Sequence, residues 1–260
     1  MDHLLYTVLL GVIEGITEFL PISSTGHLLI AEHWLGQRSD LFNVAIQAGA
    51  ILAVALIYRR RLWGLLSGLA RPDHRDYSIK LCVSFLITAV GGFTAKQLGL
   101  KLPETVAPVA MALIVGGILI LLIERYVAQR RISEEVTWKV TVAVGLGQIL
   151  AAVFPGASRS AATIFAAMLA GLSSRAAATE FAFLVGIPTM FAATGYELLK
   201  VLRGGATAGE DWTALCIGFI VSTVVAFIAV KWLLSYIQTH RFTVFAWYRI
   251  GFGVALLILV

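Results

Sequence analysis

The stretch Leu10-Gly-Val-Ile-Glu14-Gly-Ile-Thr-Glu18-Phe-Leu-Pro21-Ile-Ser-Ser-Thr-Gly-His27-Leu-Leu-Ile30 decides how this chain folds. An apolar run leads to Pro21, a cluster of hydroxyls with one glycine interrupts it, and an apolar run resumes. Each flank is too short to cross a hydrocarbon core, which takes about 20 residues of helix. Proline removes a backbone donor and breaks a continuing helix. The pattern predicts a re-entrant hairpin of two half-helices with a loop at membrane depth, where unpaired backbone is tolerated only beside protein or a wet cavity. The other reading is one long helix kinked at Pro21. The same pattern recurs over Val144–Leu169, around Pro155-Gly-Ala-Ser-Arg159-Ser160.

Outside these two stretches the chain is built for lipid. Of its 260 residues, 59% are hydrophobic and only 13% charged, and the mean hydropathy is +0.88; a soluble domain carries about a quarter charged residues. Apolar runs at Val44–Tyr58, Leu81–Ala95, Val106–Ile123, Phe181–Ala193, Ala214–Val230 and Phe242–Val260 are the expected spans. The net charge of +5 does not indicate nucleic acid, because Lys and Arg cluster in short loops with no basic stripe interleaved with aromatics. Cys82 and Cys216 both fall inside apolar helices and show no metal or disulfide spacing. Met1–Leu10 carries no basic segment followed by a cleavage site, so no removed signal is expected.

The chain matches itself at an offset of 134 residues: Gly11 with Gly145, Glu14 with Gln148, Pro21 with Pro155, Ser24 with Ser158, Phe85 with Phe219 and Gly117 with Gly251. It therefore reads as one membrane domain made of two related halves, 1–134 and 135–260. Each half holds a hairpin followed by three spans. A hairpin returns to its own side, so three crossings place the second half upside down. The expected fold is an all-α polytopic membrane protein with an inverted-topology repeat. On this count Arg59, Arg60, Arg61, Arg71, Arg75, Lys80, Arg125, Arg130, Arg131, Lys139, Lys231 and Arg241 share one side, and the opposite loops hold fewer, such as Lys96, Lys101 and Arg203. The richer side is expected to be cytoplasmic, with both termini and the first hairpin outside.

Glu14 and Glu18 are four apart, so they share one helix face. Two carboxylates in an apolar segment are costly and mark a functional site; together they share a proton or hold a divalent cation. Ser23-Ser24-Thr25-Gly26-His27 opens the second half-helix, where backbone N–H groups can face an anion; a Ser or Thr there is also an ordinary N-cap. His27 reads as a general acid/base, a nucleophile or a packed ring. In the second hairpin Arg159 stands between Ser158 and Ser160, with Thr163 following. Its planar fork suits phosphate, or pairs with Glu14 or Glu18 when the site is empty. Gln148 stands where the first half has Glu14. Gln47, Glu180 and Glu197 are further polar residues in or near spans, lining a cavity or bonding between helices.

At these residues the chain resembles the bacterial undecaprenyl-diphosphate phosphatase family once described as bacitracin-resistance proteins. The motifs are Glu14-Gly-Ile-Thr-Glu18-Phe-Leu-Pro-Ile-Ser-Ser-Thr-Gly-His27 and Pro155-Gly-Ala-Ser-Arg159-Ser-Ala-Ala-Thr163, and the likeness extends to length and duplication. The resemblance implies hydrolysis of the terminal phosphate of a polyprenyl diphosphate, dependence on Mg²⁺ or Ca²⁺, and a site in the bacterial inner membrane open to the periplasm. It places the paired acids, and with them the metal, on Glu14 and Glu18. It places the hydroxyl-and-histidine motif on Ser23, Ser24, Thr25 and His27, and the arginine motif on Ser158, Arg159 and Ser160. Glu14, Glu18, Ser24, His27 and Arg159 are the catalytic candidates; Ser23, Thr25, Gly26, Ser158, Ser160 and Thr163 are the substrate-binding ones. The nucleophile is Ser24 activated by His27 or Glu18, His27 itself, or a metal-activated water. The rival function is a transporter that flips undecaprenyl phosphate or another anion, since broken helices in inverted repeats also build transporters. The partners expected are the lipid substrate and the bilayer, with apolar spans that leave room for a homodimer interface.

Overall fold

The computed structural model describes residues 2–100, 102–103, 105–204 and 210–259; Lys101 and Val260, read above as a loop charge and the end of a span, lie outside them. Among the described residues every regular element is a helix.

α1 (Asp2–Thr17) runs into the turn at 18–23, and α2 (Ser24–Leu35) leaves it. Ser23 starts α2 because its Oγ accepts the Gly26 N–H, and Gly36, at φ 87, stops it. α3 (Asp40–Ile57) begins at the Ser39 cap. α4 (Arg59–Ser67) is a short amphipathic helix, α5 (Pro72–Gln97) starts on a first-turn proline, and α6 (Val106–Val127) closes the first half. In the second half α7 (Trp138–Val153), the turn at 154–158 and α8 (Arg159–Leu169) repeat the opening pattern, with Thr137 and Ser158 as N-caps. α9 (Arg175–Arg203), α10 (Trp212–Thr239) and α11 (Thr243–Leu259) follow.

Five helices, α3, α5, α6, α9 and α10, are long and apolar enough to cross a membrane; α1, α7, α8 and α11 are apolar but shorter. The protein is thus an all-helical, multi-pass membrane protein. Five of the six expected spans fall on the five long helices, and the sixth is α11, of 17 residues. The sequence reading treats Arg59, Arg60 and Arg61 as a loop, whereas they form the first turn of α4. Leu86, Val90 and Phe93 of α5 are exposed on the outside of the bundle, as a lipid-facing surface requires.

Glycines set the close packing. α1 runs parallel to α10, Gly11 beside Gly218 and Val221, and Gly15 beside Ser222 and Ala226, where a Cβ would come within 2.8 Å of the Ser222 carbonyl. α7 runs parallel to α5 in the same way, with Gly145 against Ser84 and Ile87. Without a hydrophobic drive between lipid-embedded helices, such backbone approach supplies the packing energy. The turn after α1 therefore lies near the middle of α10.

Polar pairs mark two ends. At one, Arg61 meets Glu180 at 2.9 Å and Arg175 meets Glu124 at 2.6 Å. At the other, Lys96 meets Glu197 at 3.4 Å and Ser39 donates to Glu210 at 2.8 Å. The Arg-rich loops gather at the first end.

Candidate active site

The turns at 18–23 and 154–158 meet inside the helical shell. Each ends on a serine in the left-handed region, Ser23 at φ 74 and Ser158 at φ 67. Non-glycine residues rarely adopt this conformation, and where they do a functional constraint is commonly the cause. Each serine caps the helix it precedes, Ser23 Oγ accepting from the Gly26 N–H and Ser158 Oγ from the Ala161 N–H. By conformation, then, Ser158 corresponds to Ser23 and not to Ser24, the match at the 134 offset: the register slips by one across the turn.

That slip makes Ser24 and Arg159 counterparts, the first residues of α2 and α8, and both reach Glu18. Ser24 Oγ donates to Glu18 Oε2 at 2.6 Å, and Arg159 Nη2 donates to Glu18 Oε1 in an ion pair. Of the two partners Glu18 is the enclosed one, its side chain 4% exposed against 30% for Arg159. Glu14, one turn back, is fully buried and interacts with both Glu18 and Arg159, yet neither of its carboxylate oxygens has a hydrogen-bond donor. A buried carboxylate without hydrogen-bond donors is costly to keep charged.

The remaining candidates are engaged differently. Ser160 Oγ donates to the Leu20 carbonyl at 3.0 Å and lies 3.0 Å from Ser158 Oγ, so it ties the second turn to the first. Thr163 Oγ1 donates back to the carbonyls of Arg159 and Ser160. Gly26 lets α2 approach Leu113 and Val109 of α6, and Thr25 lines a cavity beside Ser24. His27 turns towards α11. Its Nδ1 lies 2.7 Å from the Ser23 carbonyl, which can only accept, so the neutral ring carries its proton there and Nε2 accepts from the Tyr248 hydroxyl at 2.6 Å. Phe252 stacks on the ring at 4.3 Å.

Gln148 donates to Thr88 at 3.1 Å and binds α7 to α5; Glu180 belongs to the helix-end pair with Arg61. Gln47 and Glu197 line the cavity that Ser24 and Thr25 border. This polar cavity, about 440 Å³, opens between α2, α3 and α9 and also meets Asn43 and Lys200. A second, apolar groove of about 520 Å³ runs between α6, α7 and α8, past Leu119 and Leu146 to Phe154 and Ala157 at the second turn. The site therefore has a wet approach on one side and an oily one on the other.

The oxygens of Glu14 and Glu18, with the Ser24 hydroxyl, are an all-oxygen set suited to a hard divalent cation. Among the described residues no group of three or more His, Cys, Asp or Glu converges. Phosphate oxygens and water would have to complete the shell, which is how Mg²⁺ is commonly held.

Sequence reasoning missed two residues on α11. Arg249 is fully buried and donates to backbone carbonyls of both turns, and Tyr248 holds His27. A signal existed: Arg249 is the only charged residue in the apolar run Phe242–Val260, the same argument that singles out Arg159.

The family model for bacitracin resistance protein BacA matches residues 7–255. The chain is 65% identical over 257 residues to an undecaprenyl-diphosphatase of Rhizobium etli (strain CIAT 652), covering 99% of this chain and 97% of that one. It is 57% identical over 258 residues to the undecaprenyl-diphosphatase of Xanthomonas oryzae pv. oryzae (strain PXO99A), with the same coverage. With a match over nearly its whole length and relatives of this identity, the chain belongs to the bacitracin resistance protein BacA family.

Proposed function

We propose that the protein is an undecaprenyl-diphosphate phosphatase: it hydrolyses the terminal phosphate of the lipid, returns undecaprenyl phosphate to cell-wall synthesis and confers bacitracin resistance. The observation that carries the reading is the meeting of Ser24 and Arg159 at Glu18. A hydroxyl nucleophile, a carboxylate that can take its proton and a fork for phosphate stand within one site. The relatives' names supply the substrate.

In the proposed reaction Arg159, the more exposed partner, leaves Glu18 for the phosphate oxygens. Glu18 takes the Ser24 proton as Ser24 Oγ attacks the terminal phosphorus. The bond to the bridging oxygen breaks, and undecaprenyl phosphate leaves with that electron pair. Water then attacks the phosphorus of the phosphoserine, the bond to Ser24 Oγ breaks, Ser24 Oγ takes its proton back from Glu18, and inorganic phosphate leaves with the elements of water. Positioning and charge neutralisation are most of what phosphoryl transfer demands, and the N-terminus of α8 adds its aligned amides. Glu14 and Glu18 would hold the divalent cation, Mg²⁺ or Ca²⁺, which when bound supplies charge neutralisation at the phosphate. His27 orders the start of α2 against α11.

We read α1–α2 and α7–α8 as re-entrant hairpins in an inverted repeat, each half completed by three membrane helices. The parallel course of α1 along α10 and of α7 along α5 supports this, because those long helices start at opposite ends. The Arg-rich end is then cytoplasmic in the inner membrane. The polar cavity, with Glu197 and Lys200, opens towards the other end, poorer in Lys and Arg and so periplasmic in this reading, and the apolar groove takes the polyprenyl chain.

The test is phosphate release from undecaprenyl diphosphate by purified protein in detergent, with and without EDTA, beside Glu18→Gln and Arg159→Ala. Metal-dependent release abolished in both variants is expected. No release from folded wild-type protein, with metal and substrate present, would favour the transporter, since transport needs two compartments.

A further inference from the structure

Arg249 is the largest fully buried side chain among the described residues, and no carboxylate among them bonds it. Its guanidinium is spent on backbone. Nη1 donates to the Pro21 carbonyl in the first turn at 3.3 Å. Nη2 donates to the carbonyls of Gly156 and Ala157 in the second, at 3.0 and 3.1 Å. Nη2 also reaches Ala112, at 3.1 Å, and Nε reaches Leu113, at 3.4 Å, both on α6. A guanidinium carries five N–H donors in a fixed fork, so nearly all of them are committed and little remains for a substrate. The carbonyls it holds stand just before Ser23 and Ser158, the two serines in the left-handed region.

Space is made for this arrangement. Gly116 of α6 presents no side chain to the guanidinium, and a Cβ there would overlap Arg249 Nη2. Gly156, at φ 88, lies against the Val109 carbonyl in the same layer. A buried charge with no acid is costly unless its donors are fully used. A lysine has three donors radiating from one atom and cannot bridge two turns and a helix as a planar fork does.

We propose that Arg249 is a positioning residue for phosphoryl transfer: it clamps the two turns to one another and to α6, and so sets Ser24 and Arg159 in register at Glu18. The inference rests on the phosphatase reading. It assigns Arg249 no contact with the reacting phosphate. Loss of the clamp lets the turns drift, and drift of about an ångström between reacting groups costs on the order of a hundredfold in rate.

The test measures kcat and KM for phosphate release, per folded monodisperse protein in detergent, in Arg249→Gln, Arg249→Lys and Gly116→Ala. Each is repeated in the Arg159→Lys background. Arg249→Gln should lower kcat roughly 10- to 100-fold with KM changed less than about threefold. In the Arg159→Lys background the same change should cost severalfold less than in wild type, because one of the two groups being positioned is already gone. Arg249→Lys should rescue only in part. If Arg249→Gln does not fold, Gly116→Ala carries the test, since it displaces the guanidinium while keeping its charge. An equal loss of kcat in both backgrounds, or full kcat in folded Gly116→Ala, would overturn the proposal. Absence of release from wild-type protein would instead remove the phosphatase reading itself.

Discussion

At the scale of single residues, the chemistry turns on which atoms Glu18 holds. Both of its oxygens are engaged, one by Ser24 and one by Arg159, while the oxygens of Glu14 are enclosed and without donors. Arg159→Lys keeps the charge but loses the fork, and should lower kcat/KM roughly 100- to 1000-fold in protein that still elutes as a folded species. Near-normal turnover in that variant would remove Arg159 from the mechanism. Rapid quenching of the wild-type reaction with substrate labelled in its terminal phosphate should trap label on Ser24. Label that never enters the protein, together with substantial turnover by Ser24→Ala, would point to direct attack by water. His27→Gln should cost far less than Ser24→Ala, because the His27 ring nitrogens already face Ser23 and Tyr248.

Among the elements, the helices that carry the site are held differently from those that frame it. α1 and α7 gain their positions from glycine faces pressed on α10 and α5, so the two short helices that lead into the turns are fixed by backbone approach. The Arg-rich end is held by charge. Glu124, 1% exposed, accepts from Arg175 Nε and Nη2 and from the Phe242 N–H, binding the end of α6 to the starts of α9 and α11. Glu124→Gln would leave the Arg175 guanidinium without its counter-charge; that side chain is 24% exposed, so the cost falls below the about 3–5 kcal/mol of a fully buried pair. Glu124→Gln should therefore lower the unfolding midpoint in detergent clearly, read by loss of the monodisperse peak after heating. The kcat of the surviving protein should be unchanged, since Glu124 lies at the opposite end of α6 from the turns. A fall in kcat without a fall in stability would mean that this end communicates with the site.

For the whole molecule the prediction concerns its orientation in the bilayer, and the two ends differ enough to be told apart chemically. Cys82 and Cys216 are both exposed, so they must first be replaced by alanine. In intact cells a membrane-impermeant maleimide should then label Lys96→Cys, while Arg60→Cys should react only after the membrane is opened. The reverse pattern would turn the protein over and place the polar cavity on the cytoplasmic side. Two approaches to one site suit an amphiphilic substrate. The polar cavity borders Ser24 and the apolar groove ends at Ala157, so a headgroup and a tail can be received from different directions without either being desolvated wrongly.

The sequence by itself determined the environment, the helical class, the two interrupted segments and most of the polar residues that meet where those segments approach. Hydrophobic run length, proline and intramembrane charge are local quantities, and they can be read wherever they occur. It did not show that Ser24 and Arg159 would be counterparts, because the repeat aligns Ser24 with Ser158 and only the left-handed serines reveal the one-residue slip. Nor did it show that α4 is a helix, that His27 faces α11, or that Arg249 reaches five carbonyls on α6 and both turns. Those facts depend on which helices lie side by side. An arginine inside an apolar run announces that it needs partners. Its partners are backbone atoms about 90, 136 and 228 residues away in the chain, and only the folded arrangement brings them within hydrogen-bonding distance.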